Sequence, residues 1–206
     1  MIKTVLGRKR HGKTTLLIKL LRERAKPALV VSFDTFMVAE FPSGQRFTRA
    51  RALLNHLVEA GGVDVSRPLI LSILGNQEEA EAEFNLFCKI CIAHQNIIAI
   101  IDEIDIFDSA NSQDGEFYKM IHYQGHEFGG LLDLVTASRK PSRISRDLRG
   151  QTDEFFLFKM TDSRDLTYIE EDISAGIVEQ VRHLPKYSYL KYDVAEESIQ
   201  EFQTTK

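Results

Sequence analysis

Short, almost wholly apolar runs alternate along this chain with longer segments in which apolar positions recur every three or four residues. The runs are Ile2 to Leu6, Ala28 to Phe33, Pro68 to Leu74, Ile97 to Ile101, Leu131 to Thr136 and Glu154 to Met160, with a last one from Tyr187 to Tyr192. Runs that are apolar at successive positions, not at every second one, are what strands covered on both faces show. The intervening periodicity predicts a helix after Gly12 that fades by Lys26-Pro27, then helices over Arg49 to Ala60, Glu78 to Gln95, Glu116 to Phe128, Ser163 to Asp172 and Ala175 to Leu184. Gly61-Gly62 and Gly129-Gly130 act as stops. Asp34 to Phe47 has no clear period, and Phe41-Pro42-Ser43-Gly44 reads as a turn. Buried strands alternating with helices predict an α/β three-layer sandwich with a mostly parallel central sheet. Residues 1–194 form one domain on this reading, and the polar tail 195–206 is expected to fray.

The first strand ends at Gly7, and Arg8-Lys9-Arg10-His11-Gly12-Lys13-Thr14-Thr15 leads into the first helix. Strand, then G-x-x-x-x-G-K-T, then helix is the context of a phosphate-binding loop. Its glycines let successive N–H groups turn inward toward an anion, and the helix adds the positive end of its dipole. Lys13 is placed to reach the β- and γ-phosphates, and the Thr14 hydroxyl to ligate Mg²⁺. Arg8, Lys9 and Arg10 raise the local positive potential around a polyanion.

The most hydrophobic strand, Ile97 to Ile101, ends in Asp102-Glu103. Ligands of parallel sheets bind at the carboxyl ends of strands, and Gly7, Asp102 and Ser138 all fall there. Asp102 is suited to hold Mg²⁺ and Glu103 to deprotonate an attacking water; Asp105 and Asp108 lie close enough to be mistaken for that base. No N-K-x-D motif is present, which favours ATP over GTP. The segment Arg139 to Arg149 is basic, and a helical turn there would bring Arg143, Arg146 and Arg149 to one side. Such a patch suits DNA phosphates or the γ-phosphate of a neighbouring subunit.

Composition narrows this further. The chain has 206 residues, a net charge of −4 and a normal apolar share of 43%, enough for a full core and without the bulk basicity of many nucleic-acid binders. No stretch approaches the roughly 18 consecutive apolar residues of a membrane span. Two cysteines and no signal peptide fit an intracellular setting, not a secreted one. Cys88-x-x-Cys91-x-x-His94 hints at zinc, but Phe84, Phe87, Cys88 and Cys91 make the apolar stripe of a helix.

Gly7 to Thr14, Ile97 to Glu103 and Thr136-Ala137-Ser138-Arg139 together resemble, in order and spacing, the FtsK–HerA superfamily of DNA-pumping ATPases. The compact length, Asp153 to Phe158, Thr161 to Leu166 and the closing Lys186 to Asp193 strand are similar to the genome-packaging ATPases of icosahedral viruses with an internal membrane. The resemblance implies ATP and Mg²⁺ bound by Lys13, Thr14 and Asp102, with Glu103 activating water. It implies a homo-oligomeric ring, usually a hexamer, around double-stranded DNA, and a viral capsid or its packaging vertex as partner. The setting would be the host cytoplasm or the virion vertex. Two departures stand out. Ser138 occupies the place of the family's sensor Gln, and Gly125-His126 lacks an arginine usual before His-x-x-Gly, which leaves Arg139, Arg143 or Arg146 to supply a trans-acting one. A nucleotide-kinase-type phosphotransferase with an arginine-rich lid, and a regulatory nucleotide-binding protein that does not hydrolyse, are the rival readings.

Overall fold

A computed structural model describes residues 1–22, 29–34, 44–59, 69–72, 77–94, 97–108, 115–122 and 133–204. The apolar runs become strands: β1 (Ile2–Leu6), β2 (Leu29–Asp34), β4 (Leu69–Ser72), β5 (Ile97–Ile101), β6 (Asp133–Ser138), β7 (Glu154–Phe158) and β8 (Ser188–Asp193), with edge strands β3 (Gln45–Phe47) and β9 (Ser198–Gln203). The periodic segments become α1 (Lys13–Arg22), α2 (Ala50–Glu59), α3 (Gln77–Ala93), α4 (Glu116–His122), α6 (Ser163–Asp172) and α7 (Val178–His183), and a further short helix, α5 (Arg146–Gly150), forms within the basic segment. The nine strands of the described residues share one sheet in the order β3-β4-β2-β5-β6-β1-β7-β8-β9. Pairing is parallel from β3 through β7 and antiparallel for β7–β8 and β8–β9. The expected mostly parallel α/β sandwich is therefore what forms.

β5 shows why its run is apolar throughout. Ile97, Ala99 and Ile101 face the larger core, packed by helices α2 to α7. Ile98 and Ile100 face a smaller core, where Leu16 and Leu17 of α1 meet Val5, Phe156 and Phe158. Successive side chains point to opposite faces, so only a run without polar gaps satisfies both layers. Phe33 anchors the larger core, meeting the rings of Phe84, Phe87 and Phe107 edge-on at centroid distances of 5.0, 5.3 and 5.1 Å. Cys88 and Cys91 are buried in that same core. Among the described residues no helix is long and apolar enough to cross a membrane.

Several expectations are corrected. The tail does not fray from Ala195: β9 pairs with β8 along its whole length, and Phe202 stacks on Tyr189 at 5.4 Å. Its polarity is that of an edge strand whose side chains mostly face solvent. β3 forms inside the stretch read as irregular, and the last helix opens with a 3-10 turn, Ala175–Ile177, before α7. Lys26-Pro27, Phe41 to Ser43, Gly61-Gly62, Gly125-His126 and Gly129-Gly130 lie outside the described residues.

The basic segment is not one helical turn. Pro141–Arg143 forms a 3-10 turn, Ile144 is extended, and α5 starts afresh at Arg146 behind an N-cap in which the Leu148 amide donates to Ser145 Oγ. Arg143 thus does not share a helix face with Arg146 and Arg149. Arg149 has a structural role: its guanidinium pairs with Asp172 and lies 4.9 Å from the centre of the Tyr168 ring. The break is pinned from below, where the Ser145 amide donates to buried Asp108 Oδ2 at 2.8 Å.

Burial pushes the Asp108 carboxyl up to about 6, against the opposing pull of the Ser145 hydrogen bonds. Asp108 therefore holds its proton more tightly folded than unfolded, and its contribution to stability is fully present below about pH 4 and lost as pH rises through about 6. Asp108→Asn keeps an oxygen for the Ser145 amide. It is expected to raise unfolding stability in urea at pH 8 by on the order of 2 kcal/mol and to change little at pH 4. An equal effect at both pH values would contradict this account.

Candidate active site

Gly7 directly follows β1, where three strands crowd together. Its N–H donates to the Ser138 carbonyl at 3.2 Å, and the Arg8 N–H to the Lys159 carbonyl at 3.4 Å, so the loop is rooted in both neighbours of β1. Gly7 has φ +142°, and a Cβ there would stand 2.6 Å from Phe158 Cβ. Gly12, at φ +104°, closes the loop, and the Leu16 amide donates to its carbonyl at 2.9 Å to start α1. Arg10 between them takes φ 64°. Such backbone is open to glycine and costly for other residues.

Inside the loop the Lys13 ammonium donates to the Gly7 and Arg8 carbonyls at 2.8 and 3.2 Å. It is 8% exposed. Burial lowers it to about 8, with Asp102 the largest opposing influence. Thr14 is half-buried and Thr15 exposed on the first turn of α1. His11 Nδ1 lies 2.9 Å from the Lys9 carbonyl, and Arg8 donates to Thr161 Oγ1 at 3.2 Å.

Two strands away, the Asp102 amide donates to the Phe33 carbonyl at 3.3 Å, and Asp102 Oδ1 accepts the Glu103 amide at 2.9 Å. Glu103 takes left-handed backbone, φ 56° and ψ 44°, ahead of the 3-10 turn Ile104–Ile106. One of its carboxylate oxygens pairs with the Arg139 guanidinium. The other, Oε2, is buried without a hydrogen-bond partner. Burial raises the Glu103 carboxyl above its usual range, with Arg139 pulling it back.

Ser138 is fully buried. Its hydroxyl donates to Asp105 Oδ1 at 2.7 Å and accepts the Lys140 amide at 2.9 Å, so it braces the β6 end against the turn after β5. Glu103, Asp105 and Ile106 form one side of a cleft of about 610 Å³ whose other lining is cationic: Arg8, Lys9, Arg139, Lys140 and Arg143. That volume is within the range of small-molecule sites.

The fold brings Gly7, Asp102 and Ser138 to one end of the sheet, the placement expected of them, and Glu103, Arg139 and Arg143 lie at that same end. Arg146 is exposed at the start of α5 and does not line the cleft. From the sequence Asp105 stands out only as a residue that could be mistaken for the base and Lys140 only as one of several basic residues; the two hydrogen bonds of the Ser138 hydroxyl single them out. Thr14 and Asp102 fit a metal that takes one or two protein oxygens and fills the rest with water and phosphate. Among the described residues no group of three or more His, Cys, Asp or Glu forms a cage.

A strand–loop–helix with Lys13 inside it, beside carboxylates at the end of the next strand but one, defines the P-loop NTPase fold. No protein-family model and no curated protein sequence matches the chain. Its structure is similar to that of the genome packaging NTPase B204 from Sulfolobus turreted icosahedral virus 2, with a TM-score of 0.74 at 21% identity over 98% of this chain and 95% of that one. That protein has also been solved with AMPPCP and with ATP-gammaS. B204, the DNA-packaging ATPase of Sulfolobus turreted icosahedral virus, gives 0.72 at 20% identity over 100% and 98%. VirB4 of Thermoanaerobacter pseudethanolicus gives 0.67 at 10% identity over 99% and 89%. These likenesses bear out the fold expected from the motifs.

Gly7→Ala places a methyl group against Phe158 in backbone an L-residue rarely adopts. It is expected to cost about 3 kcal/mol of unfolding stability in urea. Gly150→Ala, whose Cβ would have nothing within 4 Å, should change stability by less than about 0.5 kcal/mol. Equal effects would show that the β1–β7 approach places no demand on Gly7.

Proposed function

We propose that this chain is an ATP-hydrolysing motor that translocates double-stranded DNA, packaging a viral genome into a preformed capsid. The observation that carries the hydrolytic part is Glu103, a buried carboxylate on the cleft beside the Lys13 loop, paired with a single arginine. A phosphotransferase has reason to avoid a water-activating carboxylate at that position. The fold shared with B204, which is described as a genome packaging NTPase, supports the choice of DNA as the load.

Lys13 turns from the Gly7 and Arg8 carbonyls to the β- and γ-phosphates, exchanging neutral acceptors for anionic ones. The loop amides and the start of α1 hold the rest of the triphosphate. Thr14 and Asp102 would hold Mg²⁺, which would supply neutralisation of the phosphate charge. The γ-phosphate competes with Glu103 for Arg139. Once released, Glu103 takes a proton from a water whose oxygen attacks the γ-phosphorus, and the bond to the bridging oxygen of ADP breaks. Burial raises the basicity of Glu103, which suits it to this step. Arg143 adds charge within the same cleft. Arg146, exposed and outside it, is free to serve the site of an adjoining subunit in a ring, which is a hexamer on this reading. DNA is gripped through its backbone, without reading bases.

Purified protein is expected to hydrolyse ATP faster with long double-stranded DNA of any sequence, and the stimulation should weaken as salt rises. Glu103→Gln should still bind ATP yet lose about 10²-fold or more in turnover. A slow rate indifferent to DNA, or an unaffected Glu103→Gln variant, would overturn the motor reading and favour a regulatory nucleotide-binding protein or a kinase, respectively.

A further inference from the structure

The sheet order sets the direction in which a triphosphate lies across the loop. Asp102 and Glu103 follow β5, and Arg139 follows β6, both on one side of β1. With the γ-phosphate drawn to that side, the nucleoside end extends to the other, over the ends of β7, β8 and β9. There the chain presses an aromatic residue against the loop. A Cβ on Gly12 would stand 2.7 Å from Thr204 Oγ1, 3.4 Å from Tyr187 Cδ1 and 3.5 Å from Phe158 Cε1. Tyr187 precedes β8 and takes left-handed backbone, φ 69°. Its carbonyl accepts both the Thr204 amide at 2.7 Å and the Thr204 hydroxyl at 2.8 Å. The ring is only partly buried, and Lys186 Nζ lies 4.8 Å from its centre.

We propose that Tyr187, positioned by Thr204, is the nucleoside subsite: the surface on which the base of a nucleoside triphosphate packs beside the loop. Positive φ in a bulky residue is uncommon and persists where its surroundings over-determine it. Here the double hydrogen bond from Thr204 does so, and it turns an aromatic ring toward the mouth of the loop. Flat aromatic side chains hold bases by stacking, whatever the base. This also gives β9 a purpose that its polar sequence conceals. The strand carries Thr204 from the far edge of the sheet back to Gly12.

The inference rests on the reading of the loop as a triphosphate site, and one pair of ligands separates the two. Calorimetric titrations of the whole chain with Mg²⁺ would compare ATP-gammaS with inorganic tripolyphosphate, which has no nucleoside. Tyr187→Ala is expected to weaken ATP-gammaS about tenfold while tripolyphosphate stays within about twofold. Tyr187→Phe should leave both unchanged. Thr204→Val, which removes one of the two donors, should weaken only ATP-gammaS, by a smaller factor. Tyr187→Leu repeats the test should the alanine variant fold poorly. Equal losses for both ligands would show that Tyr187 merely supports the loop, and no loss for either would show that it is idle; both overturn the proposal. Wild-type protein that binds tripolyphosphate as tightly as ATP-gammaS overturns it too, while leaving the loop reading intact. Wild-type protein that binds neither ligand removes both.

Discussion

A buried ammonium held by neutral carbonyls is the constraint on which the site depends. Lys13 lies inside the loop between β1 and α1, hydrogen-bonded to Gly7 and Arg8 carbonyl oxygens. Its affinity for a proton is depressed by burial. A cation in that position is costly unless opposite charge arrives, and Asp102, Glu103 and Asp105 supply only part of it from a distance. Gly7 and Gly12 take positive-φ backbone that L side chains rarely adopt. The loop can curl this tightly because Gly7 lets β7 approach within the reach of a Cβ contact.

The cleft beside the loop is organised by a second charged pair. Arg139 and Glu103 neutralise one another across the ends of β5 and β6, which leaves the second carboxylate oxygen of Glu103 buried and unpartnered. Ser138 and Asp105, a hydrogen-bonded pair on the same two elements, hold those ends in register. A small change in what Arg139 contacts is therefore felt at Glu103. Asp108 and Ser145 repeat the arrangement one turn further on, so the segment after β6 is tethered twice to the segment after β5.

Most of the parallel sheet was legible because strands buried on both faces leave no polar gaps, and β5 is the clearest case. The Gly7 to Thr14 loop was legible because its backbone demands glycine at two fixed places and its chemistry demands Lys13. The C-terminal strand β9 was not. An edge strand needs only backbone pairing and one anchoring ring, so Phe202 and β8 sufficed where hydrophobic pattern was lacking. The basic segment misled for a related reason: arginines three apart suggest a helix face, but the tether of Ser145 to Asp108 restarts the helix at Arg146. Ser138 shows a different limit. Its position at the end of β6 could be read from the chain, whereas the direction of its hydroxyl, turned inward to Asp105, depends on a residue thirty-three positions earlier.

A structure of the protein with Mg²⁺ and a non-hydrolysable ATP analogue would show directly what Lys13 and Arg139 hold. The triphosphate is expected in the loop, with Lys13 Nζ on its β- and γ-phosphates and no longer on the Gly7 and Arg8 carbonyls. Arg139 should have moved from Glu103 to the γ-phosphate. A nucleotide bound elsewhere, or one in the loop with Lys13 still on the two carbonyls, would contradict this expectation.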